Sequence, residues 1–410
     1  MADKTIVVLG TMDTKGREMR YLAAEIAKHR DRALLVDTGV VGMPAGEADI
    51  TRERVAEAGG TPLAELLKNP TREVAAPIMA RGATKLILEL IEQGAVHGIV
   101  SPGGTQGTTL SCSVMRELPY GFPKVMISTM ASGNVAPFVD IKDITMMFPV
   151  TDILGLNPVA RKMLSNAAGA ICGMADSDVE LHADRPLVGI TTVGITTQGA
   201  MKAIEVLESA GYETIVFHAV GTGGRAMEAL MKEGVIKAVL DIATIEVANE
   251  MYDAMLAAGP ERLTVAAGLG LPQVLCPGAI AILVYGSPDS IPDKYKDRQF
   301  IPHSPLISDI RLTKEEQVDV AREIARRLQV NRGPCVFLIP SKGFDSYSAE
   351  GKAFWDPDAD AAFIATLKAE LPESVRVVER DTDINDPDFA IEMANTLIAE
   401  MRSAEVLVGG

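Results

Sequence analysis

Cysteine is scarce in this sequence, and its placement argues against paired or metal-bound thiols. Four cysteines occur among 410 residues, and no two of them form a Cys-x-x-Cys pair. They are Cys112, Cys172, Cys276 and Cys335. Such wide spacing is typical neither of a disulfide framework nor of a zinc cluster, and the five histidines also lack zinc-ligand spacing. We therefore predict buried, reduced thiols in a cytoplasmic protein.

Long apolar runs and an excess of positive charge are also missing. The apolar stretches stay below the roughly 18 residues that a membrane-spanning helix needs, so we expect no membrane segment. Residues 1–10 hold a charged pair and then a β-like run, which is not the pattern of a signal peptide. With 39 basic and 55 acidic residues, the net charge of -16 disfavours non-specific nucleic-acid binding. An anionic small ligand stays compatible with this charge, because loop amides can bind it locally.

Short apolar runs alternate with helical stretches along most of the chain. The predicted strands are 5–10, 32–37, 98–101, 124–128, 186–192, 213–217, 237–241, 335–340 and 376–379. Continuous apolar strands separated by helices indicate parallel sheets covered on both faces. We predict an α/β protein of two Rossmann-like lobes with a cleft between them. The N-terminal, nucleotide-binding lobe would span 1–180 and the C-terminal lobe 186–410, with the charged, poorly periodic segment 174–186 as the boundary.

Three segments of the first half resemble segments of the second half. Residues 8–19 are similar to 191–202, 33–42 to 214–224, and 94–104 to 234–244. Either an ancient duplication or two copies of one common fold accounts for this, and both explanations stay open.

The loops that follow the first strands are rich in glycine and hydroxyl groups. Ligands of open parallel sheets bind beyond the carboxyl ends of the strands, so these loops are the places to search. The segment 10–16 offers glycines for close backbone approach, threonine hydroxyls, a lysine for a phosphate and Asp13 for magnesium. Asp37 stands where Rossmann-type proteins hold a ribose, although a turn aspartate bonded to its own backbone fits equally well.

The segment 101–109 carries the sharpest signal, because three glycines and several hydroxyls precede a helix there. Exposed amides of this kind suit phosphates. The loop 128–133 is another small polar loop after a strand. The candidate nucleotide-binding residues are Gly10, Thr11, Asp13, Thr14, Lys15, Asp37, Gly39, Gly103, Gly104, Thr105, Gly107, Thr108, Ser132 and Gly133, with Asp13 also the candidate magnesium ligand.

The second half has matching loops with altered chemistry. Residues 221–225 follow His218 and offer amides beside Arg225, while Asp241 and Glu246 stand where the first half has glycines. These features predict a site for a second anionic ligand or a polar substrate. The stretch between Tyr285 and Ile310, which contains His303, is read as irregular, either a lid or a packed excursion. His218, Arg225 and His303 are the candidate catalytic residues, although a histidine at a strand end often has only a structural role.

These motifs together resemble one known family. They are Gly10–Gly16, Asp37–Gly39, Ser101–Gly107, Ile190–Gly194, Phe217–Gly224, Ala267–Gly270 and Pro340–Asp345. The chain resembles the uncharacterised family that contains the ATP-binding N-terminal domain of the tomato mosaic virus resistance protein. The resemblance implies a two-lobed Rossmann-like protein that binds ATP with Mg²⁺ and self-associates. In plant and fungal members the domain is fused to a barrel domain, so a separate barrel-domain protein is an expected partner if that part is present at all.

Two classes of function follow from this combination. The first is an ATP-dependent enzyme that acts on a small anionic metabolite in the cleft between the lobes. The second is a non-catalytic binding or regulatory module that responds to the nucleotide. NAD-dependent redox chemistry is disfavoured because no loop matches Gly-x-Gly-x-x-Gly, and a hydrolase is disfavoured because Gly-x-Ser-x-Gly is absent. A homodimer is expected from the resemblance and from 19 methionines that suit adaptable interfaces.

Overall fold

The computed structural model describes residues 4–177, 179 and 184–408. The chain divides into two units, Met1–Leu181 and His182–Gly410. Part of the predicted boundary segment, residues 178 and 180–183, lies outside the described residues. All four cysteines are buried and free, as predicted. Among the described residues, no helix combines the length and apolar character needed to cross a membrane.

The first unit is a five-stranded parallel sheet with helices on both faces. Its strands are β1 (Thr5–Gly10), β2 (Arg32–Asp37), β3 (Gly98–Gly103), β4 (Lys124–Ser128) and β5 (Thr145–Met147). Its helices are α1 (Met12–Lys28), α2 (Arg52–Ala58), α3 (Leu63–Leu66), α4 (Arg72–Glu92), α5 (Thr105–Glu117), α6 (Ala136–Val139) and α7 (Pro158–Ala175). The strand order is β2-β1-β3-β4-β5, and every pairing is parallel.

Alternation along the strands divides the core of this unit into two layers. Val7 and Leu9 of β1 pack with α2, α4 and α5, whereas Ile6 and Val8 pack with α1 and α7. Successive side chains of a strand point to opposite faces, so an all-apolar strand needs helices on both sides.

The second unit contains a six-stranded parallel sheet and a smaller antiparallel sheet. Its strands are β6 (Leu187–Thr192), β7 (Glu213–His218), β8 (Ala238–Asp241), β9 (Gln273–Leu275), β10 (Ile282–Tyr285), β11 (Phe300–Ser304), β12 (Ile307–Arg311), β13 (Cys335–Pro340) and β14 (Val375–Arg380). Its helices are α8 (Thr197–Ser209), α9 (Thr222–Lys232), α10 (Ile245–Met251), α11 (Thr264–Leu269), α12 (Lys314–Arg327), α13 (Pro357–Glu370) and α14 (Pro387–Val408).

The large sheet of the second unit has the order β7-β6-β8-β9-β13-β14, again all parallel. Its first three strands therefore repeat the arrangement of β2, β1 and β3. The sequence segments that resemble one another in the two halves occupy these equivalent places. The predicted α/β class, with two mainly parallel sheets flanked by helices, is confirmed.

The stretch between Tyr285 and Ile310 differs from the prediction in its later part, because β11 and β12 are strands there, whereas turns and short 3-10 helices occupy 286–299. β12 lies between β10 and β11 in an antiparallel sheet, and a register shift occurs between Pro302 and Ser304. The run Ile307–Arg311 is buried at 308–310 and pairs with β10 over its last four residues. The interpretation as irregular was wrong for β11 and β12, where Pro302 interrupts the strand pattern in the sequence.

Candidate functional site

The strand order of the first unit creates a switch point beside β1. β2 lies on one side of β1 and β3 lies on the other. The connections that leave β1 and β3 therefore run in opposite directions and leave a crevice between the two strand ends. Ligands of sheets with this order bind at that point. A cleft of about 490 Å³ lies there, and we call it the β1–β3 cleft. It is lined by residues after β1 (Gly10, Thr11, Asp13, Thr14, Lys15), after β2 (Thr38, Gly39, Val40, Val41), from the start of α4 (Pro70, Arg72, Ala75, Ala76, Met79) and around the start of α5 (Pro102, Gly103, Gly104, Thr105, Gln106, Gly107, Leu110, Ser111).

The start of α5 is the most open part of this cleft. Gly104 is the N-cap residue, no side chain caps the helix within the described chain, and the first turn has no acidic residue. The first amides of a helix have no partner within the helix and attract anions. A β-carbon at Gly104 or Gly107 would meet no atom closer than 3.9 Å. The backbone therefore offers free space where a ligand can approach Gly104, Thr105 and Gly107.

The start of α1 is less open, and here the structure corrects the sequence. The segment 10–16 was read as a glycine-rich loop, yet α1 begins at Met12 and includes Gly16. The Met12 amide donates to Asp37 Oδ1 at 2.9 Å, and the Gly39 amide donates to the same atom at 2.8 Å. A carboxylate of the protein itself therefore lies at this helix start. Gly16 serves packing, because a β-carbon there would lie 3.1 Å from the Ala45 carbonyl oxygen.

Asp37 is buried, and it does not line the cleft. Burial raises the pKa of its carboxyl group, and the two backbone hydrogen bonds partly offset this effect. Of the two readings of Asp37, the geometry fits the aspartate that organises its own turn better than the ribose ligand.

Asp13 and Lys15 lie on the first turn of α1 and line the cleft. Asp13 Oδ2 accepts a hydrogen bond from the Gly42 amide at 3.0 Å. Its Oδ1 atom is buried and has no hydrogen-bond partner in the described part of the chain. The Lys15 ammonium donates to the carbonyl oxygen of Ile153. One carboxylate oxygen thus remains to be satisfied, while the lysine is already held by a backbone acceptor.

Three further predicted residues lie outside the cleft. Thr108 is fully buried, and its hydroxyl lies 2.6 Å from the Ser128 hydroxyl, so it joins α5 to the end of β4. Ser132 and Gly133 are exposed in the turn after β4 and are not among the lining residues. Gly10, Thr11, Asp13, Thr14, Lys15, Gly39, Gly103, Gly104, Thr105 and Gly107 are brought together.

In the second unit, the predicted anion loop is filled by a buried carboxylate. Glu246 Oε1 accepts hydrogen bonds from the amides of Gly221 at 2.7 Å and Gly224 at 3.1 Å. These are the amides at the start of α9 that the sequence offered to a ligand. The prediction of an anion site at 221–225 was wrong, because α10 supplies the anion itself.

Arg262 completes this arrangement. Its guanidinium is fully buried and contacts Asp241 at 2.5 and 2.7 Å and Glu246 at 2.6 Å. Glu228 lies 4.0 Å away, and Thr191 donates to Asp241 at 2.6 Å. We call these residues, Glu228, Asp241, Glu246 and Arg262, the Arg262 cluster. Burial raises the pKa of Glu228 to about 8, although Arg262 opposes this effect.

A second cavity, of about 440 Å³, lies beyond the ends of β6 and β7, and we call it the β6–β7 cavity. It is lined by Val193, Gly194, Ile195, His218, Val220, Ile245, Met255, Leu256, Ile282, Val284, His303, Ile307 and Asp309. The structure thus brings His218 and His303 together, whereas Arg225, on α9, is not among the lining residues. His303 Nδ1 lies 3.2 Å from the Tyr347 hydroxyl and 3.7 Å from Asp309 Oδ2.

Comparison with known proteins places the chain in a family. Residues 4–180 match the N-terminal domain, and residues 185–401 match the C-terminal domain, of the uncharacterised protein family UPF0261. The chain belongs to the UPF0261 family. A UPF0261 protein of Clostridium tetani is 40% identical over 401 residues, which cover 97% of this chain and 99% of that protein. The UPF0261 protein RA0729 of Rhizobium meliloti is 40% identical over 389 residues, covering 94% and 96%.

The resemblance to the tomato protein is confirmed. The ToMV resistance protein Tm-1(GCR237) of Solanum lycopersicum is 30% identical to this UPF0261 chain over 416 residues. That match covers 96% of this chain but 55% of the tomato protein.

Sequence reasoning missed three residues of these sites in the UPF0261 chain. Arg72 lines the β1–β3 cleft from the start of α4, where no preceding strand marks a functional loop. Arg262 lies just before α11, far along the chain from its partners. Asp309 lies in the stretch that was read as irregular, and the run Ile307–Arg311 has no alternation of apolar and polar residues that would have indicated a strand.

Proposed function

We propose that this chain is a nucleotide-binding protein, and that its first unit binds ATP with Mg²⁺ in the β1–β3 cleft. The observation that carries the proposal is the start of α5, which lies at the switch point of the sheet without a capping side chain. Its amides and its positive dipole end are suited to a phosphate group. The cleft volume of about 490 Å³ is within the range of small-molecule sites.

The residues around this helix start fit the other parts of a nucleotide. Ala75, Ala76 and Met79 of α4 form an apolar wall on which a base can pack. Arg72 adds a positive charge to the cleft. Gly104 and Gly107 leave the space that phosphate oxygens need to reach backbone amides.

Asp13 fits the role of magnesium ligand. Its Oδ1 atom is buried at the cleft without a partner among the described residues, whereas Oδ2 is held by the Gly42 amide. Mg²⁺ in nucleotide sites is held by one or two carboxylates together with phosphate oxygens and water. A single oriented carboxylate is therefore sufficient on the protein side.

Calorimetric titration of the full chain with ATP and Mg²⁺ tests the proposal. Gly104→Val places a branched side chain in the space above the α5 amides, and we expect it to weaken binding by about tenfold or more. Gly173→Val is the matched control, because Gly173 lies on α7, outside the cleft, and a β-carbon there meets no atom within 4 Å. Equal affinities in the two folded variants would refute the site.

The two expected uses of the nucleotide predict different fates for it. An ATP-dependent enzyme converts ATP to ADP or AMP when its substrate is present, with the cleaved group transferred to the substrate or to water, whereas a regulatory module returns ATP unchanged. Analysis of the nucleotide after prolonged incubation with cell-derived small anionic metabolites separates them. Conversion of ATP would support the ATP-dependent enzyme, and recovery of unchanged ATP would support the binding module.

A further inference from the structure

The β6–β7 cavity occupies the place in the second unit that the β1–β3 cleft occupies in the first. β6 lies between β7 and β8 as β1 lies between β2 and β3, so the switch point falls beside β6. Val193, Gly194 and Ile195 follow β6, His218 ends β7 and Ile245 follows β8, and all of them line the cavity. Sheet topology alone therefore predicts a ligand at this place.

The walls of this cavity differ from those of the first unit. Most lining residues are apolar, and several of them, including Val193, Ile245 and Ile282, belong to one buried cluster. The Gly221 and Gly224 amides at the start of α9 are bound to Glu246 and are not available to a ligand. No lysine or arginine occurs among the described residues that line the cavity. Among the described lining residues, the cavity thus offers an anion neither a lysine nor an arginine, and the Gly221 and Gly224 amides are occupied.

The polar side of the cavity is formed by Asp309, His303 and His218. Asp309 is on β12, the central strand of the antiparallel sheet, so its position is held by pairing with both neighbours. The residue is only 6% exposed, and its one polar side-chain contact among the described residues is with His303, whose Nδ1 atom lies 3.7 Å from Asp309 Oδ2. The His218 imidazole has no hydrogen-bond partner in the described part of the chain. A carboxylate in apolar surroundings with so few donors is a strong acceptor.

We infer that the β6–β7 cavity is a second ligand site, which binds a small organic molecule with an apolar body and a hydrogen-bond-donating head group. The head group, an ammonium or a hydroxyl, would donate to the Asp309 carboxylate beside His303 and His218. The apolar body would pack on the aliphatic side chains from β10 and from the loops after β6 and β8. The volume of about 440 Å³ suits a molecule of this size.

Three probes with the same apolar body test the head-group chemistry. They are 4-methylbenzylamine, 4-methylphenol and 4-methylbenzoate, titrated by calorimetry at millimolar concentration into the full chain. Because burial raises the pKa of Asp309 to about 6, the titrations belong at about pH 8, where this carboxyl group is ionised. We expect the amine and the phenol to bind, and the benzoate to bind at least about tenfold more weakly than the amine.

Two variants and a matched control locate the binding. Asp309→Asn is nearly isosteric, and we expect it to weaken the binding of the amine by about tenfold, because a hydrogen bond to a charged group is lost. His218→Ala removes an imidazole that has no hydrogen-bond partner among the described residues, so it should weaken binding of the phenol without unfolding the chain. Asp289→Asn changes an exposed carboxylate that does not line the cavity and should leave all three probes unaffected.

The inference is overturned by any of three results. The first is a failure of both the amine and the phenol to bind at millimolar concentration. The second is a benzoate affinity equal to that of the amine. The third is an amine affinity in folded Asp309→Asn that equals the affinity in the control. A crystal soaked with 4-methylbenzylamine gives an independent check, since its ammonium should lie within hydrogen-bond distance of Asp309.

Discussion

Two adjacent glycines at the end of β3 differ in what a side chain would meet. A β-carbon at Gly103 would lie 2.9 Å from the Cα and carbonyl carbon of Gly107, whereas one at Gly104 would meet nothing closer than 3.9 Å. Gly103 therefore lets the strand end approach α5, and Gly104 leaves the cleft open.

We therefore expect replacement by alanine to affect the free energy of unfolding differently at the two positions. We expect Gly103→Ala to lower the free energy of unfolding by about 1–3 kcal/mol, as overpacking does. Gly104→Ala should change it by no more than about 0.5 kcal/mol. Urea denaturation of both variants measures this difference, and equal stabilities would show that the close approach at Gly103 is not real.

A second prediction for a single residue concerns the effect of Glu228 on the pH dependence of stability. Burial raises its pKa from 4.5 to about 8, so the folded chain keeps this proton after the unfolded chain has lost it. Stability from this group is therefore fully present below about pH 4.5 and falls as the pH rises to about 8. Glu228→Gln can still accept the hydrogen bond from the Leu263 amide but does not titrate.

We expect Glu228→Gln to gain stability relative to the parent chain as the pH is raised from 5 to 8, by up to a few kcal/mol. Thermal or urea denaturation at both pH values gives this difference. A constant gap between the two proteins would mean that Glu228 has an ordinary pKa in the folded state.

At the scale of elements, the Arg262 cluster joins the start of α9, the end of β8, α10 and the segment before α11. Its single guanidinium faces three buried carboxyl groups. The apolar cores on the two faces of the sheet cannot compensate for these charges if the arginine is removed.

Arg262→Met should therefore destabilise the second unit by about 3–5 kcal/mol, because it leaves buried carboxylates without a counter-charge. Lys232→Met is the control: its ion pair with Glu261, at 2.7 Å, is exposed on both sides and contributes less than about 1 kcal/mol. The two variants are compared by urea denaturation. A loss below about 1 kcal/mol for Arg262→Met would contradict the assigned role of the cluster.

Strands could be predicted from the sequence better than the beginnings of helices. The predicted strands 5–10, 32–37, 124–128 and 335–340 match the structure residue for residue, because buried parallel strands are unbroken apolar runs. The sequence pattern predicts a helix over 84–93, whereas α4 begins at Arg72. Pro77 and Gly82 interrupt its pattern, yet Gly82 allows close contact, since a β-carbon there would lie 1.9 Å from the Val55 carbonyl oxygen.

The candidate site could be predicted only where it follows strands. The loop after β3 lines the β1–β3 cleft, and its glycines and hydroxyls after a buried strand are a local signal in the sequence. Arg72 and Asp309 reach their sites through long-range packing, which no local pattern encodes. The internal use of Glu246 at the start of α9 is likewise a contact between elements that lie apart in the sequence.

At the scale of the whole molecule, the two units share the arrangement of their first three strands but differ in the groups that lie beyond the strand ends. The start of α5 is uncapped, whereas the start of α9 is bound to Glu246. This difference restricts the proposed nucleotide to the first unit and the proposed donor-bearing ligand to the second. We therefore expect saturating ATP to leave one further ligand site for 4-methylbenzylamine.

Self-association is a further prediction at this scale. β5 is an edge strand of its sheet, and it is followed by exposed Phe148, Val150 and Leu154. An edge strand beside exposed apolar side chains is suited to a twofold contact between copies. Light scattering at micromolar concentration should give twice the chain mass of 43.6 kDa. A mass equal to one chain would exclude the dimer at that concentration.

The central claim is that nucleotide phosphates bind at the start of α5. A crystal structure of the full chain with a non-hydrolysable ATP analogue and Mg²⁺ tests it most directly. We expect phosphate oxygens within hydrogen-bond distance of the amides between Gly104 and Gly107, with the metal ion on the Asp13 carboxylate. Nucleotide bound at the start of α9, or phosphates placed away from α5, would contradict it.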